Sequence, residues 1–298
     1  MTDVGQQGLE QQDLARRFEA DRARLWAVAF RMLGASGEAD EAVQEAWLRL
    51  ARSDADEIEN LPGWLTTVVA RICLDMLRAR KARGEEPLGP HVPDPIVSPA
   101  TGGDPEHEAL VADSVGLALL GVLETLGPEE RVAFVLHDMF SVPFEQVAEL
   151  LDRSPAAARK AASRARQRVE AEPTAPDVDL ERQRQVVDAF FEASRQGDFD
   201  ALVAALHPDV VLRSDGGEAR PSANHVIRGA AAVAGRALTF ANLSPYVQPV
   251  LVNGVAGVLV APEGRPFSVM AFTVAGGRVV AIDALADPAR LERLGLGV

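Results

Sequence analysis

The side chains best suited to chemistry in this sequence are two cationic runs. From Arg71 to Arg83 the ionisable residues are Arg71, Asp75, Arg78, Arg80, Lys81 and Arg83, and from Arg153 to Arg168 they are Arg153, Arg159, Lys160, Arg164, Arg166 and Arg168. No acid interrupts the second run. Guanidinium and ammonium groups at this density hold phosphate oxygens, so each run predicts contact with a nucleic-acid backbone. The chain as a whole carries 44 acidic against 30 basic residues, a formal net charge of −14. Repulsion from that acidic frame should keep the free chain's DNA affinity low and make a larger partner necessary.

General acid–base chemistry needs a positioned titratable group, and the candidates are His207, Asp215, His225, Tyr246 and Asp283. His207 precedes Pro208 at a helix end and reads as a capping or surface residue. Asp215 leads into Gly216-Gly217 and reads as a turn. Tyr246 is isolated, and Asp283 reads as a paired surface carboxylate in a strand. No catalytic residue is assigned. Cys73 is the only thiol, which excludes an internal disulfide and a cysteine metal cluster and leaves a small apolar filler on a helix. No metal or cofactor is expected.

Stepping along the chain, Leu14, Phe18, Leu25, Ala29 and Leu33 recur at helical spacing, and Gly34 and Gly37 precede a second helix, Glu38–Arg52, striped by Ala42, Val43, Ala46, Trp47 and Leu50. A third helix follows Pro62 to Ala82. A Pro-rich linker spans 84–105, and Pro128–Asp138, Pro143–Leu151 and Pro155–Val169 then form a helical block. The turn Asp152–Ser154 joins two short helices as a helix-turn-helix, with Ser154 as N-cap and Pro155 at the first helical position. A second linker, 172–179, leads to helices near Leu180–Arg195 and Phe199–Leu206. Strands near 247–252, 255–261, 266–274 and 278–285 follow, joined by Asn253-Gly254, a looser Pro262–Pro266 turn and Gly276-Gly277 as an antiparallel meander. Helices followed by a meander indicate α+β. The longest apolar run, Val250–Val260, is broken and falls short of the roughly 18 residues a spanning helix needs, and Met1–Gln12 is polar, so a cytoplasmic chain with no membrane contact is expected.

Taken together, these blocks resemble the extracytoplasmic-function RNA polymerase sigma factors. Asp40 through Leu50 resembles the family helix that grips the polymerase clamp helices, which implies core binding by Asp40, Glu41, Gln44, Glu45, Trp47 and Leu48. Trp64 through Arg78 resembles the helix that opens and reads the minus-ten element, implying Trp64, Arg71, Arg78, Arg80, Lys81 and Arg83 on melted DNA. Ser154 through Arg166 resembles the helix that reads minus-thirty-five. It implies Ser154, Ala156, Ala157, Arg159, Lys160 and Ser163 toward the major groove, with Arg164, Arg166 and Arg168 toward phosphate. The implied partners are core polymerase, through its clamp helices and flap, and promoter DNA.

Within that family the chain resembles the SigJ-like group, whose members carry a SnoaL-like C-terminal domain. Pro87–Pro95 resembles that group's Trp-Leu-Pro linker signature with His91 and Val92 in place of Trp and Leu. Asp215-Gly216-Gly217 resembles the start of its Asp-Gly-Gly-Gly-Lys signature, and Asp287-Pro288-Ala289-Arg290-Leu291 resembles its Asn-Pro-Asp-Lys-Leu signature. The resemblance implies a multidomain chain. Two all-α sigma domains, 10–83 and 106–171, the second a helix-turn-helix, precede an α+β SnoaL-like (NTF2-like) cone over a curved antiparallel sheet at 180–298. It further implies that Pro90, His91, Val92 and Pro93 meet Asp215, Gly216, Gly217, Asp287, Pro288, Arg290 and Leu291 as a regulatory contact, and it leaves room for a small apolar ligand in the cone. The alternative is a helix-turn-helix regulator fused to a small-molecule-binding or enzymatic SnoaL-like domain, since this fold hosts both.

Overall fold

The computed structural model describes residues 3–53, 58–84, 91–100, 116–171, 177 and 179–296. Its contacts divide the chain into two compact units, one of Met1–Glu86 with Leu123–Gln167 and one of Pro87–Val122 with Arg168–Val298.

The first unit is helical. α1 (Asp3–Leu33), α2 (Ser36–Leu50) and α3 (Leu61–Ala82) bury the apolar stripes that their sequence periods mark out. Leu25, Val28 and Leu33 of α1, Ala42, Val43, Ala46 and Leu50 of α2 and Leu65, Val69, Ile72 and Cys73 of α3 are all nearly inaccessible, and the three helices pack against one another. Each fully buried Leu contributes about 1.5–3 kcal/mol. α2 begins two residues earlier than the glycines suggested, so Gly37 lies inside it and its first-turn acid is Glu38 rather than Asp40. α3 is capped by Asn60, whose Oδ1 accepts from the Gly63 amide at 3.1 Å, with Pro62 in the first turn.

α4 (Leu117–Glu124) straddles the division between units. α5 (Pro128–Phe134) continues as a π-turn, Val135–Met139, in place of the uniform helix expected to Asp138. α6 (Phe144–Leu151) and α7 (Pro155–Glu170) form the helix-turn-helix. The turn is made by Asp152 in the left-handed conformation, φ 55°. Ser154 Oγ then accepts from the Ala157 amide at 3.2 Å and starts α7.

The second unit holds α8 (Leu180–Gln196), α9 (Phe199–Ala205), β2 (Leu206–Asp215), β3 (His225–Arg228), α10 (Ala230–Thr239), β4 (Val247–Val252), β5 (Val255–Val260), β6 (Ser268–Ala275), β7 (Arg278–Leu285) and α11 (Pro288–Arg293). It also holds β1, Val97–Pro99, contributed by the Pro-rich segment. The seven strands form one sheet in the order β1-β4-β5-β6-β7-β2-β3. The meander β4 to β7 is antiparallel as expected. The sheet is nevertheless mixed, because β2 pairs with β7 in parallel. Helices α8 and α10 close one face over Phe190, Leu202, Val233, Val258, Phe272 and Ile282, which gives the α+β cone. The rings of Phe190, Phe191 and Phe272 meet at 5.4–5.7 Å around its apex.

Candidate functional site

On α7 the buried positions are Ala158, Ala161, Ala162 and Ala165, and the small side chains let the helix settle closely on its neighbours. The opposite face is exposed and carries Ser154, Ala156, Ala157, Arg159, Lys160, Ser163, Arg164 and Arg168, with Arg166 half-buried. Several of these cations rest on carboxylates of the same unit. Arg159 meets Glu145 at 3.0 Å, Arg164 meets Glu130 at 2.9 Å, and Arg166 holds Asp138 with two donors. Glu129 Oε1 accepts from both Arg153, at 3.1 Å, and Arg78, at 3.3 Å. One carboxylate therefore bridges the basic end of α3 and the turn of the helix-turn-helix.

On α3, Arg71, Arg78, Lys81 and Arg83 are exposed, Trp64 is half-buried, and Arg80 is partly covered and paired with Glu38. On α2, Asp40, Glu41, Gln44 and Leu48 are exposed, Glu45 pairs with Arg49 at 3.0 Å, and Trp47 packs on Phe18 with ring centroids 5.1 Å apart. Cys73 is buried, and burial pushes its thiol well above the ordinary range. Burial likewise lowers Arg131 to about 10, while its Nη1 donates to the Met32 carbonyl at 2.8 Å.

In the second unit the linker residues meet the two C-terminal signatures in a clasp. The Asp215 carboxylate ends β2 and is nearly buried. Its Oδ2 accepts from the Val92 amide at 3.1 Å and from Arg290 Nη1 at 2.7 Å, with His91 Nδ1 at 3.3 Å. Its Oδ1 accepts from the Gly217 amide at 3.0 Å. Burial opposes the charge on Asp215, but His91, the two amides and Arg290 outweigh it and bring the carboxyl down to about 2. Arg290 also donates to the Val92 carbonyl at 2.6 Å and, through Nε and Nη2, to Asp94 Oδ1 at 2.8 and 2.6 Å.

Arg290 is aimed by α11, whose N-cap Asp287 accepts from the Ala289 and Arg290 amides at 2.8 and 3.3 Å, with Pro288 in its first turn and Leu291 buried. Gly217 has φ +60°, and a Cβ there would stand 2.0 Å from Asp287 Oδ2, so only glycine lets these two signatures touch. The Gly216 amide donates to Asn224 Oδ1 at 2.6 Å. Val92 and Pro93 are buried. Pro90 lies outside the described residues. Beyond the clasp, Asn253 takes the Ile96 amide at 2.8 Å and gives its own amide to the Ile96 carbonyl at 2.8 Å, which holds β1 against β4. Asp94 lay inside the linker signature without a role of its own, and Asn253 was marked only as a turn residue.

Of the acid–base candidates, only His225 lines the cone's cavity. His207 Nδ1 accepts from the Asp209 amide at 3.2 Å where α9 passes into β2, and Tyr246 is exposed. Asp283 is a correction: it is a buried carboxylate, 2% exposed, bound by Arg213 Nε at 2.8 Å. Burial drives its pKa up while Arg213 pulls it down. Alternation along β2 and β7 explains the placement, because Leu212, Ser214, Ile282 and Ala284 face the cavity and Arg213 and Asp283 the other side. Among the described residues no group of His, Cys, Asp and Glu could hold a metal ion, and no helix is long and apolar enough to cross a membrane.

Residues 17–83 match the family model of Sigma-70 region 2, and residues 116–169 match that of Sigma-70 region 4. The ECF RNA polymerase sigma factor SigJ of Mycobacterium tuberculosis is 39% identical over 289 residues, covering 91% of each chain. The probable ECF RNA polymerase sigma factor SigI of the same organism is 35% identical over 283 residues, covering 93% of this chain and 94% of its own. The crystal structure of the Mycobacterium tuberculosis SigJ superposes with a TM-score of 0.76 at 37% identity over 93% of this chain and 98% of that one.

Proposed function

Because the chain belongs to the extracytoplasmic-function RNA polymerase sigma factors, we propose that it binds core polymerase, reads minus-thirty-five and minus-ten elements and starts transcription under the control of its own C-terminal domain. The observation that carries this reading is the amphipathic split of α7, alanines inward and cations outward, next to a second cationic helix end on α3.

In this reading α2 meets the clamp helices through Asp40, Glu41, Gln44, Glu45, Trp47 and Leu48, and the helix-turn-helix block meets the flap. α3 tracks melted minus-ten DNA with Arg71, Arg78, Arg80, Lys81 and Arg83 beside Trp64. α7 enters the major groove with Ser154, Ala156, Ala157, Arg159, Lys160 and Ser163, while Arg164 and Arg166 hold phosphate. Short side chains at Ala156 and Ala157 make base readout sparse, so phosphate contacts and polymerase supply most of the affinity. The functional division is 10–83, 84–105, 106–171, 172–179 and 180–298, in a cytoplasmic protein.

The C-terminal domain acts as a regulator and not an enzyme. His91, Val92 and Pro93 are its point of attachment, and Asp215, Gly216, Gly217, Asp287, Pro288, Arg290 and Leu291 are its side of the clasp, with room for a small apolar ligand in the cone. A stiff Pro-rich segment loses little entropy on docking, so a few strong hydrogen bonds suffice. Run-off transcription with purified core polymerase on a selected promoter library tests the reading. Full-length protein should direct initiation, and removing residues from about 180 onward, or the last dozen, should change it. Failure to associate with core at low salt removes the sigma assignment, and indifference to both truncations removes the regulatory one.

A further inference from the structure

The cone holds a partly open cavity of about 150 Å³, lined by the sheet, α8 and α10. Apolar cavities of roughly this size accept a single aromatic ring. Its walls are mostly aromatic and aliphatic, yet Arg220, Arg236 and His225 stand among them and no Asp or Glu does among the described residues.

The two guanidinium groups are unevenly satisfied. Arg220 lies over the Phe267 ring at 4.6 Å and donates to the Phe267 and Ala286 carbonyls at 3.0 Å each, so it is held in place by neutral acceptors. Arg236 lies over Phe240 at 4.6 Å, and its Nε is shut off from solvent with no hydrogen-bond partner. A buried donor left unpaired is costly, although the Arg236 side chain as a whole is only partly covered. Burial and the Arg236 charge hold His225 below its usual value, which leaves a neutral imidazole beside them. An apolar chamber with fixed cations and no carboxylate is complementary to one class of small molecule.

We infer that the cone binds a small carboxylate with an aromatic or aliphatic body, the carboxylate meeting Arg236 and Arg220 and the body filling the space beside Phe190, Phe191 and Met270. This rests on the reading of the cone as a ligand site and names the ligand's chemistry. Charge-assisted hydrogen bonds from a guanidinium to a bound carboxylate are about twice as strong as neutral ones.

The test uses the full chain and three probes that share one phenylalkyl body, 3-phenylpropanoate, 3-phenylpropan-1-ol and 3-phenylpropan-1-amine, titrated by calorimetry. The carboxylate should bind at least about tenfold more tightly than the alcohol, with the amine weakest. Arg236→Gln should abolish the preference for carboxylate over alcohol while leaving the alcohol's affinity within about twofold, and Arg236→Lys should restore part of it. Equal or tighter binding of the alcohol to the unaltered chain overturns the anion assignment and leaves the cone as a ligand site. If none of the three binds at millimolar concentration, the ligand-site reading falls with it.

Discussion

Arg290 Nη1 and Asp215 Oδ2 lie 2.7 Å apart, with side chains only 11% and 8% exposed, and both contact Val92 of the linker, one at its carbonyl and one at its amide. The linker backbone is thus gripped at both ends of a single residue by one ion pair.

Breaking that pair from one side should leave a buried charge uncompensated. Arg290→Met strands Asp215 and Asp94 together, and a loss of about 3–5 kcal/mol is expected. Replacing both members, Asp215→Asn with Arg290→Met, should cost less than the sum of the single changes. Chemical unfolding of the four proteins, with limited proteolysis of the 84–105 segment as a second readout, checks the cycle.

Gly217→Ala should resemble Arg290→Met in its consequences without touching a charge. The new methyl displaces Asp287, uncaps α11 and misaims Arg290, at about 1–3 kcal/mol. Ala substituted at Gly295, where a Cβ meets nothing, serves as the control for an equally positive φ.

The clasp's pH dependence follows from Asp215. Its folded pKa of about 2 lies below the ordinary 3.8, so its stabilisation is fully present above about pH 4 and is lost as the pH falls toward 2. Melting temperatures from pH 6 down to 2.5 should fall more steeply for the unaltered chain than for Asp215→Asn across the lower part of that range.

Carboxylates that occupy the arginines proposed to meet DNA should weaken binding by the free protein. Glu129→Gln releases Arg78 and Arg153 together and should raise affinity for a promoter fragment by up to about fivefold, since exposed pairs are worth up to about 1 kcal/mol. Arg164→Ala, at a position proposed to hold phosphate, should act in the opposite direction and reduce the slope of log affinity against log salt by about one unit. Electrophoretic mobility shifts at several ionic strengths measure both.

Local signals were legible in the sequence, and pairings between distant residues were not. β4 and β7 fall where Asn253-Gly254 and Gly276-Gly277 place them because a two-residue turn fixes both flanking strands. Ser154-Pro155 marks the start of α7 because cap and first-turn chemistry are written in adjacent residues. β2 was hidden behind Pro208 and a helix end. Its parallel partner β7 lies some seventy residues away, as in Arg213 opposite Asp283, and no local pattern encodes that register. The same pairing turned Asp283 from an apparent surface acid into a buried one. β1 is three residues among prolines, visible only once Asn253 is seen holding Ile96. The clasp was half legible. His91, Val92, Asp94, Asp215 and Arg290 all stood in recognisable signatures, but that Arg290 pairs with both carboxylates was not written in any of them.

Ser214 and Asp215 are consecutive in β2, the first facing the cone's cavity and the second holding the linker. A slip of β2 by one register step would exchange these addresses, placing a carboxylate in the oily chamber and a hydroxyl beneath Arg290. Single-residue insertions or deletions between Val211 and Asp215 would therefore disable chamber and tether together.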